Sequence, residues 1–402
     1  MARSARFAVR ESVERRPRGD ESVRILATAD WQLDMLGGGL GPAARAHLSE
    51  ARVSTIERLL VLAKEEKVDA ILAAGDLFEY PSPSPEVVTA AAEVLQQHRD
   101  IPIHAIPGNH DLHGPGTVWA TPEFEAIKHF HLHTEVSSVD LGGDVHLHAI
   151  PVTSKYDTRP QDELLDDVSD AGGTHIVMAH GHDVAYMDLG HEDCKLPLHS
   201  SRLIDKGYHL VVLGHWHSWN PVSDRVIYPG THEQTKFGES DAGHVAIIDI
   251  PDGGGDPVID KRRVGQVRWA RDVFDCTGKP LPDEIEDFVR ERSEEVDFLE
   301  LTLTGEVGLD DALDAIPRAE RACRTMLKHL AWADETKGVI DIDALTEKVE
   351  LPLGLREIQR CILAELQSAE GDEETVVQLR DELQALYGAC RDAGVIDVGA
   401  GS

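Results

Sequence analysis

Five short clusters of acidic, amide and imidazole side chains are the features of this sequence that could bind cations. In chain order they are Ala29-Asp30-Trp31-Gln32, Gly75-Asp76, Gly108-Asn109-His110-Asp111, His180-Gly181-His182 and Gly214-His215-Trp216-His217. Carboxylate and amide oxygens mixed with imidazole nitrogens favour Mn²⁺, Fe²⁺ or Zn²⁺ over Ca²⁺. A pair of ions requires one carboxylate that bridges them, and Asp76 is the natural bridge. The set therefore predicts a centre of two divalent metal ions.

Each cluster follows an apolar run that predicts a buried strand. These runs are residues 23–29, 70–74, 103–106, 175–179 and 210–213. Helical patterns lie between strands, and residues 48–67 place Ile56, Leu59 and Ala63 on one face of such a helix. Strands that alternate with helices indicate an α/β fold, in which the loops at the carboxyl ends of the strands converge on one crevice. We therefore expect the five clusters to meet.

The remaining patterns predict a mixed sheet and a change of organisation towards the C-terminus. Further strands without intervening helices are predicted at 145–150, 226–228 and 245–250. The run PDGGGDP at 251–257 has the composition of a linker. Beyond it, a strand at 267–274, a helix at 283–292 and a strand at 298–304 predict a small β-α-β unit.

The last part of the chain is predicted to be helical. Two amphipathic segments flank the sequence GDEE at 371–374, an arrangement typical of an αα-hairpin. The predicted division is an Arg-rich arm at 1–20, a first domain at 21–255, a small α/β domain at 256–308 and a helical tail at 309–402.

Composition favours a cytoplasmic protein, but the strongly negative net charge needs a separate explanation. The 402 residues predict two or three domains, and five scattered cysteines suit a reducing cytosol. The N-terminal arm lacks the apolar segment of a secretory signal, and no apolar run is long enough to cross a membrane. A net charge of −34 is unlike that of a protein that grips DNA phosphates alone. The acidity indicates an adaptation to solubility or high salt, or a partner that supplies the DNA contacts.

The order of the five clusters resembles that of the calcineurin-like metallophosphoesterases. GDLF at 75–78, YPGT at 228–231 and Phe237-Gly238-Glu239 resemble in particular the SbcD-type nuclease subunits of DNA-repair complexes. The resemblance covers residues 22–250 most clearly. It implies a four-layer α/β/β/α sandwich, followed by a small α/β cap and a helical C-terminal region. It also allows a homodimer, which no residue of the sequence requires.

The same resemblance implies a role for each candidate site residue. One metal ion would be held by Asp30, Asp76 and His217, with Gln32 at the remaining ligand position. The second ion would be held by Asp76, Asn109, His180 and His215. His110 would be the general acid beside the leaving oxygen, and Asp111 would orient it. His182 is expected behind the ligands or facing a phosphate. Independently of the resemblance, Trp31, Trp216 and Trp219 could stack on bases, but we expect them to wall the pocket instead.

Gln32 departs from the family pattern, which usually has D-x-H in the first motif. A glutamine carbonyl can coordinate a metal ion, but as a neutral oxygen it binds transition metals more weakly than imidazole does. We therefore hypothesise that the first site is the looser of the two and fills mainly with Mn²⁺. A water molecule at this position is the alternative.

The resemblance favours a Mn²⁺-dependent DNA nuclease acting in DNA repair or defence against foreign DNA. An SbcC-type coiled-coil ATPase would be its partner, docked on the C-terminal helices, although those helices could equally fold back on their own domain. The first alternative is a phosphodiesterase or phosphatase acting on nucleotides or small phosphate esters, which the acidic charge favours slightly. The second is a non-catalytic scaffold subunit whose metal centre has decayed at Gln32. The pair of His110 and Asp111 argues against that scaffold.

Overall fold

The structure is a computed structural model that describes residues 22–35, 37–184, 195–239, 241–251, 255–308, 311–339, 351–369 and 372–392. Its strands are β1 (Val23–Thr28), β2 (Ala70–Ala73), β3 (Ile103–Ala105), β4 (Phe130–Leu132), β5 (Ser137–Asp140), β6 (Val145–Ile150), β7 (Thr174–His180), β8 (His182–Asp183), β9 (Pro197–Leu198), β10 (Leu210–Gly214), β11 (Asn220–Ser223), β12 (Val226–Tyr228), β13 (His244–Ile250), β14 (Val258–Arg263), β15 (Trp269–Asp275), β16 (Phe298–Thr304), β17 (Glu306–Gly308), β18 (His329–Asp334) and β19 (Lys337–Val339).

The α-helices of the described residues are α1 (Pro42–Glu65), α2 (Pro85–Gln97), α3 (Pro122–Glu125), α4 (Ser200–Asp205), α5 (Asp283–Glu295), α6 (Ile316–Cys323), α7 (Leu353–Ser368) and α8 (Glu373–Asp392). Short 3₁₀ turns lie at Val118–Ala120 and Gln161–Leu164, and a π-helical turn lies at Asp311–Ala315. The predicted arm at 1–20 and residues 252–254 of the predicted linker lie outside the described residues, as do residues 370 and 371 beside the predicted hairpin turn.

Two six-stranded sheets organise the first part of the chain. The first has the order β14-β13-β1-β2-β3-β4, and the second has the order β11-β12-β10-β7-β6-β5. In the first, β1, β2, β3 and β4 run parallel while β13 pairs antiparallel with β1. In the second, β7 runs parallel to β10 while β11 pairs antiparallel with β12. The mixed sheet predicted from the sequence is therefore present in both layers.

Alternating side chains of one strand fill two different cores. Ile25 on β1 packs between the two sheets, and its neighbour Leu26 packs between the first sheet and helices α1 and α2. Both are fully buried, so each stabilises the fold by about 1.5–3 kcal/mol. Because the strand is covered on both faces, it appears in the sequence as a continuous apolar run. A third core, beneath α4, covers the outer face of the second sheet. The predicted four layers are thus confirmed.

Helix α1 begins earlier than the apolar pattern predicts. It starts at Pro42, a residue suited to a first helical turn because its fixed φ fits the helix and its missing N–H needs no partner there. The residues between Pro42 and Leu48 are mostly small or polar and carry little apolar periodicity. The prediction therefore began only at Leu48, the first large residue of the buried stripe.

The described chain separates into two compact units that divide between Val267 and Arg268. The predicted boundary at 255 lies inside the first unit, because β14 pairs antiparallel with β13. In the second unit, β15, β16 and β18 form a parallel sheet, and α5 joins β15 to β16 as the predicted β-α-β unit. Strand β18 lies within residues 309–402, which were predicted to be helical. Helices α7 and α8 share a small apolar core that includes Leu366 and Leu383. Among the described helices, none is both long enough and apolar enough to cross a membrane.

Candidate metal centre

All five predicted clusters come together at one edge of the two sheets. Asp30 follows β1, Asp76 follows β2, and Asn109 follows β3 in the first sheet; His180 ends β7, and His215 follows β10 in the second. Backbone contacts link the loops: the amide of Asp30 donates to the carbonyl of Gly75 at 3.0 Å. The amide of His215 donates to the Asp30 carboxylate at 2.9 and 3.0 Å. The structure therefore brings together residues that are far apart in sequence.

The second predicted ion position is surrounded by four donors at short range. One ligand atom each from Asp76, His180 and His215 lie within 4.8 Å of one another. Oδ1 of Asn109 lies 3.1 Å from Nε2 of His180 and 3.0 Å from Nδ1 of His215. Oδ2 of Asp76 lies 3.3 Å from the same His180 nitrogen. A carboxylate, an amide oxygen and two imidazoles directed at one point fit a divalent transition metal.

The first predicted position has Gln32 at its centre. Nε2 of Gln32 lies 3.4 Å from Oδ2 of Asp76 and 3.4 Å from Nε2 of His217. Oε1 of the same amide is buried and has no hydrogen-bond partner. A rotation of the Gln32 amide by 180° turns this oxygen towards Asp76 and His217. The residues therefore fit an ion that takes the carbonyl of Gln32 as a ligand.

Backbone strain is concentrated at the same residues. Eight described residues other than glycine have a positive φ, and four of them are predicted ligands: Asp30, Gln32, Asp76 and His215. L-amino acids adopt this conformation at a cost of roughly 1–3 kcal/mol each, and such residues cluster at functional sites. The rest of the fold thus holds the ligand turns in conformations that these side chains do not favour.

Two glycines permit the close approach of the ligand turns. A Cβ at Gly108 would overlap the carboxylate of Asp76, and a Cβ at Gly214 would overlap the carbonyl of Ala74 and lie 2.6 Å from Nδ1 of His180. Neither glycine has a positive φ, so close packing is the reason that glycine is required here.

Each imidazole of the centre is oriented by a second contact. Nδ1 of His180 donates to the carbonyl of Ala74 at 2.8 Å, and Nδ1 of His217 donates to Oε1 of Glu239 at 2.8 Å. These contacts leave the Nε2 atoms free for a metal ion, as in other metal sites. In His215 the two ring nitrogens exchange these roles. Its Nε2 lies 2.9 Å from Nε2 of His182, and its Nδ1 faces the other predicted ligand atoms of the second position. His182 thus lies behind a predicted ligand, as expected.

Glu239 had no role assigned from the sequence, although the motif Phe237-Gly238-Glu239 was a signal for it. Its carboxylate also accepts hydrogen bonds from the amide and hydroxyl of Thr235, at 2.8 and 2.7 Å. The contact with His217 lowers the pKa of Glu239, overcoming the effect of burial, which raises it. An ionised carboxylate behind His217 makes that imidazole a stronger metal ligand.

The partner of His110 is Glu79 and not Asp111. Nδ1 of His110 lies 3.1 Å from the carbonyl oxygen of Glu79 and 3.5 Å from its Oε1. The interaction with the side chain of Glu79 raises the pKa of His110 to about 9, against the opposing effect of burial. Asp111 is fully buried and accepts hydrogen bonds from the amides of Gly108 and Leu77 at 2.7 and 2.8 Å, so it organises the backbone. In the sequence, the feature that could have indicated this role is the acidic residue Glu79, which directly follows GDLF at 75–78.

Burial sets the charge of other groups at the centre. It lowers the pKa of His215 to about 3, so this imidazole is neutral and its lone pair is available near pH 7. It raises the pKa of Asp30 to about 6, because the carboxylate lies in a region from which water is excluded. Bound cations would stabilise the ionised form of Asp30.

The three tryptophans differ in their exposure. Trp31 and Trp219 are buried, and the indole of Trp31 donates to the Thr28 hydroxyl at 2.9 Å. Trp216 lies between two predicted ligands and is 37% exposed. Trp31 belongs to the core between the first sheet and its helices, and Trp219 belongs to the core between the two sheets. The expectation that the three indoles wall the pocket therefore stays a prediction.

Comparison with known proteins gives a family and two partial relatives. Residues 23–219 match the family model described as calcineurin-like phosphoesterase. The SbcD subunit of the nuclease SbcCD from Bacillus subtilis (strain 168) is 35% identical over 92 residues, which are 22% of this chain and 22% of that protein. The DNA double-strand break repair protein Mre11 of Saccharolobus solfataricus is 35% identical over 77 residues, 16% of this chain and 20% of that protein.

These matches are short. The chain spans about a fifth of the length of the curated relatives that it matches. Among solved structures, a dimetal phosphatase from Danio rerio aligns at 10% identity over 59% of this chain and 98% of that one. Its TM-score of 0.35 is too low to support a conclusion about function.

Proposed function

Because residues 23–219 belong to the calcineurin-like phosphoesterase family, we propose that this protein is a nuclease that hydrolyses phosphodiester bonds in DNA at two divalent metal ions. The observation that carries the proposal is the convergence of Asp76, His180 and His215, whose ligand atoms lie within 4.8 Å of one another. The partial similarity to a nuclease subunit and to a double-strand break repair protein supports DNA as the substrate.

The ligand assignment is part of the proposal. Asp30, Gln32, Asp76 and His217 would hold one ion, and Asp76, Asn109, His180 and His215 would hold the other. Mn²⁺ is the proposed metal, because oxygen donors dominate the first position. When bound, the ions neutralise the charge of the phosphate and activate the attacking water.

His110 is the proposed proton donor to the leaving oxygen. Its backbone amide donates to Oδ1 of Asp76 at 2.8 Å, which fixes the residue beside the bridging carboxylate. Its side chain is 34% exposed, so a substrate can reach it. With Nδ1 held by Glu79, Nε2 is the nitrogen that can donate. A general acid in this position accelerates phosphodiester cleavage by roughly 10²–10⁴-fold.

We extend the proposal to DNA repair or defence against foreign DNA in the cytoplasm, with an SbcC-type coiled-coil ATPase as partner. One relative is a subunit of a nuclease complex, which supports a partner. The net charge of −34 supports it independently, because a partner could supply the basic surface that DNA binding requires. Helices α7 and α8 are the proposed docking region.

Hydrolysis assays with the full-length protein test the proposal. Single-stranded DNA, double-stranded DNA and bis-nitrophenyl phosphate are each incubated with Mn²⁺ or with a chelator. We expect all hydrolysis to require Mn²⁺ and to be lost in His180→Ala, and to persist in His131→Ala, a control that removes an exposed histidine. Hydrolysis of the small ester alone would contradict the nuclease and favour a small-molecule phosphodiesterase. Metal binding without any hydrolysis would favour a scaffold.

A further inference from the structure

An exposed tyrosine and two exposed lysines lie close together on the surface of the first unit. Tyr156, in the loop after β6, is 68% exposed. The Nζ atom of Lys195 lies 5.0 Å from the centroid of the Tyr156 ring, and Lys155 precedes that ring in the chain. Both lysines are exposed. A cation above one face of an exposed aromatic ring leaves the opposite face available to a second planar group.

A short series of hydrogen bonds joins this loop to the metal centre. The amide of Leu196 donates to the carbonyl of Asp157 at 2.7 Å, and the amide of His182 donates to the carbonyl of Leu196 at 3.0 Å. His182 in turn contacts His215 at 2.9 Å. Since hydrogen-bonded backbones lie about 4.8 Å apart, the two steps place the backbone of Asp157 within about 10 Å of that of His182.

The charge of the loop contrasts with that of the whole chain. The protein has 73 acidic and 39 basic residues, yet Lys155 and Lys195 flank the exposed ring. Within the described part of the chain, neither lysine forms an ion pair. Arg159 nearby contacts Asp157 through two nitrogens, at 3.0 and 2.6 Å, so its charge is already compensated. Lys155 in this loop and Lys195 beside the ring are therefore the cations that a phosphate could approach here.

We propose that Tyr156, Lys155 and Lys195 form a subsite for an unpaired DNA strand that extends from the metal centre. The ring of Tyr156 stacks on a base, and the two lysines contact the adjoining phosphates. In a duplex the base faces are covered by neighbouring pairs, so an exposed ring selects unpaired bases. This inference rests on the proposed nuclease function and adds the substrate class, single-stranded DNA.

Fluorescence anisotropy in a chelator, where no DNA is cut, tests the subsite. The full-length protein is titrated with a labelled oligo(dT), with the RNA oligonucleotide of equal length and with a blunt duplex. We expect oligo(dT) to bind most tightly, Tyr156→Ala to weaken its binding about tenfold, and Tyr156→Phe to preserve it. Lys195→Ala should reduce the slope of log K against log salt by about 0.7.

Lys128→Ala is the matched control for charge. Lys128 is an exposed lysine just before β4 begins, and so lies at the edge of the first sheet opposite the centre. Its Nζ atom donates to the backbone carbonyl of Glu125 at 3.2 Å and, among the described residues, pairs with no carboxylate. The substitution should leave binding unchanged. Equal binding by wild type and Tyr156→Ala, absent binding of oligo(dT), or a preference for RNA or duplex would each overturn the subsite. A wild type that hydrolyses bis-nitrophenyl phosphate but no DNA would instead overturn the nuclease proposal.

Discussion

The imidazole of His217 is held between Glu239, 2.8 Å from its Nδ1, and Gln32, 3.4 Å from its Nε2. Glu239→Gln removes the charge behind the ring and leaves its shape almost unchanged. We expect metal affinity at the first position to fall by roughly 10–100-fold, with the second position retained. Isothermal titration with Mn²⁺ would show one weakened binding event. Two unchanged events would mean that Glu239 does not support a ligand.

Gln32→His should strengthen the first position, because imidazole binds transition metals better than a neutral amide oxygen does. Metal content after dialysis against dilute Mn²⁺ should rise towards two equivalents in this variant. Gln32→Leu, which removes the carbonyl and keeps a similar length, should lower the content towards one equivalent. Equal metal content in wild type and both variants would show that Gln32 is not a ligand and that water occupies the position.

Glu79→Gln tests the partner of His110. The substitution keeps the hydrogen bond from Nδ1 to the backbone carbonyl of Glu79 and removes the carboxylate charge 3.5 Å from Nδ1. Without that charge the pKa of His110 falls, so a smaller fraction of His110 carries the proton that a leaving oxygen needs. We expect kcat on DNA to fall by roughly 10–100-fold, with a smaller loss on bis-nitrophenyl phosphate, whose leaving group needs little protonation. Tyr80→Phe, beside Glu79 in the chain, is the control. An equal loss on both substrates would indicate that Glu79 only maintains the fold.

Asp111→Ala should destabilise the fold, because the carboxylate accepts hydrogen bonds from three backbone amides. The donors are Gly108 at 2.7 Å, Leu77 at 2.8 Å and Phe78 at 3.2 Å. Each amide left buried without a partner costs about 1–3 kcal/mol, and removal of a carboxylate that burial disfavours offsets part of the sum. We therefore expect the free energy of unfolding to fall by about 3–5 kcal/mol. Urea denaturation measures this directly. Loss of activity at unchanged stability would restore the predicted role of Asp111 in catalysis.

A chain of imidazoles on the second sheet should make the fold sensitive to acid. Nε2 of His148 lies 2.9 Å from Nδ1 of His175, and Ser138 lies 2.9 Å from the other His148 nitrogen. Burial, with a smaller contribution from His175, lowers the pKa of His148 from 6.5 to about 4. The unfolded chain therefore binds a proton more readily between these values. The contribution of His148 to stability is complete above pH 6.5 and is lost as the pH falls towards 4.

His148→Gln should accordingly reduce the acid dependence. The midpoint of urea denaturation, measured from pH 7.5 to 4.5, should fall less steeply in this variant than in wild type. His131→Gln changes an exposed histidine and should follow wild type. Identical slopes for wild type and His148→Gln would exclude a contribution from this imidazole.

The sequence was most informative where periodicity and residue type agree. The predicted bounds of β6, β12 and β16 match the structure residue for residue. The five clusters were expected to meet because each follows a parallel strand, and they do. Buried strands covered on both faces leave a continuous apolar run, and that signal survives without tertiary information.

The side chains that orient the site histidines could not be predicted from sequence patterns. Glu79 lies three residues after Asp76, and Glu239 lies in a loop 22 positions from His217. Their roles depend on which way a side chain turns, and Asp111, adjacent to His110 in sequence, turns towards the amides of Leu77 and Gly108 instead. Strand β14 was missed for another reason: its mostly polar residues pair with β13 at a sheet edge. Edge strands of this kind carry little apolar signal.

At Gly214 the backbones of the two sheets are in close contact, beside the atoms predicted to bind the metal ions. Ala74 follows β2 in the first sheet and Gly214 ends β10 in the second, and there is no room between them for one additional carbon atom. The spacing of the donors is therefore inherited from the packing of the sandwich as a whole. A substitution that separated the two sheets at Gly214 would therefore also move the donors that follow β2 away from those that follow β10, even if every ligand residue were retained.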